Sequence, residues 1–142
     1  MRKVLIAMVM ALSFIFALAV PAQASAPVIA DPGVVKQKGG YYQVEQYVKA
    51  TSGDVSWTAK PGIQVGEVVK GKKKKYIKWR TVGALKSYPY EGSGTKRKKW
   101  TFSRPCVQGG WFVRSIITVH AWSEDDYVSR TIPGLKDFMS CK

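Results

Sequence analysis

The sequence predicts an all-β protein, an antiparallel β-sandwich of about seven strands. Three observations predict it. Apolar and polar residues alternate over most of the chain, the period of half-buried strands. Beyond residue 24 there are fourteen Val but only two Leu, Leu85 and Leu135, a balance that suits strands better than helices. Clusters of Gly, Pro, Ser and Asp recur between the alternating runs and read as turns.

The elements follow in order. Arg2 and Lys3 make a basic start, Val4 to Val20 is apolar apart from Ser13, and Pro21-Ala22-Gln23-Ala24 follows with small residues. These are the three regions of a secretory signal peptide, with the cut expected after Ala24. No later run approaches the ~18 apolar residues of a membrane span. The expected product is secreted and free of membrane. Residues 25–40 read as an extended N-terminal segment, and 41–142 as a single sandwich domain.

Tyr42, Val44, Val48 and Ala50 share one face of a first strand over 41–50. Val55, Trp57 and Ala59 alternate through a second, and Ile63 to Val69 forms a third. Lys70-Gly71-Lys72 reads as a hairpin turn. Lys75 to Val82 is the fourth strand, with Ile77 and Trp79 expected inward and Tyr76, Lys78 and Arg80 outward. Gly92-Ser93-Gly94 reads as loop. Arg97 to Ser103 is the fifth, with Trp100 and Phe102 inward. Trp111 to Trp122 is the longest run, Ser123 to Asp126 is a polar turn, and Tyr127 to Ile132 returns to Pro133-Gly134. Leu135 to Met139 is expected to add one helical turn. Trp57, Trp79, Trp100 and Trp111 are expected in the core, where each aromatic removes ~150–250 Å² from water.

Cys106 and Cys141 are the only cysteines. An even count in an exported small domain reads as a disulfide. It would tie the tail to the segment before Trp111.

The run Trp111 to Trp122, the acidic turn, and Tyr127-Val128-Ser129-Arg130 resemble the last hairpin of immunoglobulin-like and fibronectin type III-like domains. That resemblance implies a Greek-key sandwich. The pattern departs from immunoglobulin domains at the cysteines, because Cys141 lies beyond the last expected strand. The leader and the size resemble those of small secreted bacterial proteins.

The formal charge is +14, and it is local. Residues 60–104 hold fourteen Lys and Arg against Glu67 and Glu91, while 25–59 and 105–142 each balance to zero. Two runs dominate: Lys70, Lys72, Lys73, Lys74 and Lys75, continuing to Lys78 and Arg80, and Lys96, Arg97, Lys98 and Lys99. If their strands are neighbours in one sheet, the runs form one cationic face. Such a face attracts phosphate, sulfate or carboxylate polymers through its field and through counterion release. Lysine acts as a point charge, which suits charge recognition without strict geometry. Tyr76, Tyr88 and Tyr90 are candidates to stack on a ligand. The competing reading is a solvated edge, since Lys on edge strands resists unwanted pairing.

Other chemistry is sparse. His120 would need Asp125 or Asp126 and a nucleophile such as Ser115 or Ser129 for hydrolysis, and no nucleophile-elbow motif accompanies them. One His with paired cysteines cannot form the usual zinc set. The acidic turn Glu124-Asp125-Asp126 is expected to pair with the basic surface. No catalytic residue, metal or cofactor is expected. The sequence thus points to a secreted, non-enzymatic binder of wall polymer, anionic lipid or nucleic acid. An antimicrobial or toxin-like effector is the first alternative. An inhibitor or adaptor of a secreted enzyme, acting through Ser87 to Gly94, is the second.

Overall fold

Alternation is realised as ten strands and no helix among residues 27–142, which the computed structural model describes. The expected leader, with its cut after Ala24, lies outside the described residues. The strands are β1 (Val28–Asp31), β2 (Lys36–Lys38), β3 (Tyr41–Ala50), β4 (Ser56–Lys70), β5 (Lys75–Val82), β6 (Tyr90–Ser93), β7 (Lys98–Pro105), β8 (Gly109–Trp122), β9 (Tyr127–Pro133) and β10 (Asp137–Cys141). Every pairing is antiparallel.

They form two sheets. In the smaller one β3 is central, with β7 along one edge and β1 and β2 sharing the other. In the larger one β4 and β8 are central and pair from Ser56↔Trp122 to Gly66↔Phe112. β6 and then β5 share the free edge of β4, and β9 and β10 share the free edge of β8. The expected antiparallel sandwich is the fold that forms, with more strands than the expected seven. The second and third expected strands are one, because β4 runs through Pro61 and Gly62. Pro61 is tolerated there because β6 has ended at Ala59 and β5 begins only at Ile63, which leaves that edge unpaired. β6 forms where a loop was expected. The segment 25–40 contributes β1 and β2, and Val28 and Val35 from it are buried.

The tail corrects another expectation. Residues Leu135 to Met139 make no helical turn; Asp137–Cys141 is a strand on β8. Its alternation is the reason, since Met139 and Cys141 are buried while Phe138 and Ser140 are exposed. The Cys106–Cys141 disulfide forms. It leaves the end of β7 in one sheet and reaches β10 in the other. Cys141 therefore does not lie beyond the last strand, and the bond does join the two sheets.

The inner faces meet in one core. Tyr42, Val44, Val48, Trp100 and Phe102 come from the smaller sheet, and Trp57, Ile63, Val65, Val113, Ile117 and Val119 from the larger. Gln46 lies among them, 1% exposed. Its Oε1 accepts from Trp100 Nε1 at 3.1 Å, and its Nε2 donates to the carbonyls of Pro32 and Ile116, both at 3.0 Å. Ser115, fully buried, donates to the Gly33 carbonyl at 2.5 Å. Gly33 is at φ +67°, and a Cβ there would overlap the Glu45 carbonyl, so only glycine fits.

Replacing Gln46 by Leu keeps the volume but leaves Trp100 Nε1 without its acceptor and takes a donor from the carbonyls of Pro32 and Ile116. The expected loss is about 2–4 kcal/mol, measured by urea unfolding. A loss below about 0.5 kcal/mol would contradict this role.

Candidate anion-binding site

The longest basic run lies on a projecting arm. β4 and β8 part company at Gly66↔Phe112, but β4 and β5 stay paired to Lys70↔Lys75. From Glu67 to Lys78 the hairpin therefore runs on with no third strand. Gly71 N–H donates to the Lys74 carbonyl at 3.0 Å and closes the turn. Lys70, Lys72, Lys73, Lys74, Lys75, Lys78 and Arg80 are all exposed. Lys70 faces Lys75 directly across the ladder, an arrangement of like charges that costs stability. Among the described residues the single ion pair is Lys99 to Glu45, at 2.7 Å. The arm's cations thus form no ion pair, and the one carboxylate on the arm, Glu67, stands opposite Lys78.

The faces of β5 are opposite to expectation. Val65↔Arg80 and Gly66↔Trp79 put Arg80 on the inner parity and Trp79 on the outer. Ile77 and Trp79 fill the space that Gly66 leaves without a Cβ; an added Cβ would lie 2.8 Å from Trp79 Cε3. The Arg114 guanidinium covers the Trp79 ring at 4.1 Å, and burial holds that guanidinium below its ordinary pKa. On the inner side of β5 Val82, at its end, packs against the core, and the rest of that side is exposed. Tyr76, Lys78 and Arg80 occupy that exposed part. Arg80 lies over the half-buried Trp111 ring at 5.2 Å. It also partly offsets the burial that raises the pKa of Tyr42.

The second basic run is elsewhere. Lys98 and Lys99 begin β7 in the smaller sheet, opposite Val48 and Tyr47. Lys96, Arg97 and Lys98 share a cleft with Trp57, near the start of β4. The arm lies past the other end of that strand. β4 has 15 residues, which at ~3.3 Å each puts the arm's tip on the order of 45 Å from the second run. The two runs therefore do not form one face, because their strands belong to different sheets. Lys98 Nζ donates to the Glu91 carbonyl at 2.8 Å, and Arg97 covers the Tyr47 ring at 4.1 Å.

The three candidate tyrosines have three different settings. Tyr76 is on the arm and 49% exposed. Tyr90 is half-buried and stacks on Trp100 at 4.1 Å. Tyr88 is engaged by His120, whose Nε2 is 2.5 Å from the Tyr88 hydroxyl while its Nδ1 is 2.7 Å from that of Tyr127. Both ring nitrogens are therefore occupied. Ser115 points inward, away from His120. The acidic turn Glu124-Asp125-Asp126 makes no ion pair among the described residues, contrary to expectation. The Tyr88–His120–Tyr127 contact joins residues that are 32 and 7 positions apart. No local pattern announces it.

No family model matches this sequence, and no curated protein matches it. Among solved structures, the fold is similar to the sporulation control protein Spo0M from Bacillus subtilis, with TM-score 0.49 and 9% identity over 82% of this chain and 51% of that one. The chain thus spans about half the length of Spo0M. A putative ApaA protein from Bordetella pertussis gives TM-score 0.34 and 12% identity over 80% and 91%. β-Glucosidase 3B from Thermotoga neapolitana gives 0.31 and 13% over 80% and 16%. None of these likenesses carries a site residue to this chain.

The arm's charge pattern has a direct consequence for stability. Lys70→Glu would place a carboxylate opposite Lys75. It is expected to raise stability by about 0.2–1 kcal/mol, read as a higher urea midpoint with an unchanged m-value. A lower midpoint would show that the facing lysines impose no penalty.

Proposed function

We propose that the chain is a secreted, non-enzymatic β-sandwich that binds anionic polymers through the β4–β5 arm. The observation that carries this reading is the set of exposed cations, none of them in an ion pair, on a hairpin that no third strand supports. A purely solvated edge would not require six cations gathered on one projecting element, with Arg80 at its base. Field and counterion release would then supply most of the affinity, with little demand on ligand geometry. Tyr76, beside the tip, adds a surface on which a sugar or base can stack. The site of the second run, far from the arm, is not needed for this reading.

The non-enzymatic part of the proposal is supported by His120, whose two nitrogens are both held by tyrosine hydroxyls. The likeness of the β8–β9 hairpin to immunoglobulin-like and fibronectin type III-like domains fits a binding module. A second reading, a membrane-directed effector, has one observation in its favour: Val68 is 54% exposed just behind the lysines.

On a heparin or phosphocellulose column the protein should be retained and should elute earlier as salt rises. Reversing Lys72, Lys73, Lys74 and Lys75 to Glu should lower the eluting salt by roughly half or more, with a melting temperature no lower than before, since Glu at 75 would face Lys70. Equal retention of the reversed protein would end the arm reading. Dye leakage from anionic vesicles at micromolar protein would favour the effector instead.

A further inference from the structure

A cleft lined by Trp57 lies at the opposite end of β4 from the arm. Trp57 is 1% exposed, and its Nε1 has no hydrogen-bond partner among the described residues. An indole N–H can only donate, and buried donors in folded proteins nearly always have an acceptor. The contrast with Trp100 and Trp111 is direct, since their indoles donate to Gln46 Oε1 and to the Gln108 carbonyl.

The nitrogen-bearing edge of the Trp57 indole faces Gly92. A Cβ at Gly92 would lie 2.5 Å from Trp57 Cζ2 and 3.1 Å from Nε1. Gly92 and Trp57 both line a cleft of about 390 Å³ between β6 and the segment that leads into β7. Its other walls are Ser93, Lys96, Arg97, Lys98 and the backbone of Glu91. The Glu91 carboxylate is not directed into the cleft. Glu91 pairs with Thr58 and Gly92 with Trp57, so the Glu91 side chain is on the opposite face of β6 from Gly92. Lys99 is taken up by Glu45. Lys98 is fixed on the Glu91 carbonyl, and Lys96 has no partner among the described residues.

We infer that this cleft is a second anion site, separate from the arm, which takes one tetrahedral oxyanion of phosphate or sulfate type with the Trp57 N–H as its neutral donor. The donors come from both sheets: the indole from β4, and the ammonium groups from Lys98 at the start of β7 and from Lys96 just before it. A tetrahedral anion offers oxygens in those different directions, whereas a planar carboxylate offers two in one plane. Charge-assisted bonds from Lys96 and Lys98 would supply most of the attraction. The indole would supply direction, which lysines alone do not. This site requires nothing of the arm.

The test is a titration of the ¹⁵N-labelled protein with inorganic phosphate, read on the side-chain N–H signals of its five Trp. Trp57 is assigned by triple resonance, so the test does not depend on a Trp57 variant folding. Its indole signal should move downfield and saturate. Lys96→Ala with Lys98→Ala should weaken that affinity at least ~10-fold. The Lys72–Lys75 reversal should leave it unchanged, so failure of the arm reading and failure of this one are distinguishable. Dimethyl phosphate is the parallel probe. A matching shift supports a phosphodiester polymer as the source, and a shift with inorganic phosphate alone supports the free ion. A Trp57 signal that stays still, or that moves equally in the double-alanine protein, overturns the inference.

Discussion

The buried amide of Gln46 is the constraint on which the rest of the sandwich depends. Its oxygen takes the Trp100 indole from β7, and its two N–H groups reach the Pro32 carbonyl and, across the core, the Ile116 carbonyl of β8. All of its donors are used, and its partners dictate which way the amide points. A flipped amide would set an oxygen against two carbonyls and an NH₂ against an N–H. One side chain therefore fixes the offset of the two sheets and the path of the chain between β1 and β2. Ser115 repeats the device from the other sheet through Gly33. Buried polar groups tied in this way specify one arrangement where aliphatic contacts alone would tolerate several.

The offset explains the arm. β3 has ten residues and β4 has fifteen. With Gln46 and Trp100 anchoring β3 near the early half of β4, the last turns of β4 and the first half of β5 have nothing above them. The inner parity of β5 is thus free to carry Lys78 and Arg80, and its large apolar residues turn to the outer face over Gly66. The disulfide closes the same end of the sandwich at the base of the arm. The arm is therefore a projection from a braced end, not a frayed edge.

Much of this was legible in the sequence, and the failures have physical causes. The faces of β3, β7 and β8 could be read because each is covered by the opposing sheet, so alternation and burial agree. β5 could not, because alternation gives two faces but not which one is covered. Gly66 was the available signal: a glycine opposite an aromatic marks the face where a ring crosses the neighbouring strand. The tail read as helix because Leu135-Lys136-Asp137-Phe138-Met139 is short, and its alternation shows only when Cys141 is included. The joining of the two basic runs failed on topology. β5 and β7 are close in sequence, yet the chain changes sheets between them after β6. No local pattern marks such a switch.

The two cationic regions differ in kind, and that difference follows from their settings. On the arm, charge is dense and exposed, and donors other than ammonium groups are few. Attraction there acts over roughly the Debye length of ~8–10 Å and fades as salt rises. In the cleft, the cations are fewer and two are already oriented, Lys98 by a carbonyl and Arg97 by Tyr47. The distinguishing group is neutral, a buried indole N–H whose contribution salt does not screen. An anion drawn by the arm would be selected by its charge density, whereas one held in the cleft would have to present an oxygen at a single point. The net charge of the chain therefore combines two properties that respond differently to salt. Raising ionic strength is the condition under which the arm's contribution is removed and any directional contribution at Trp57 is left standing.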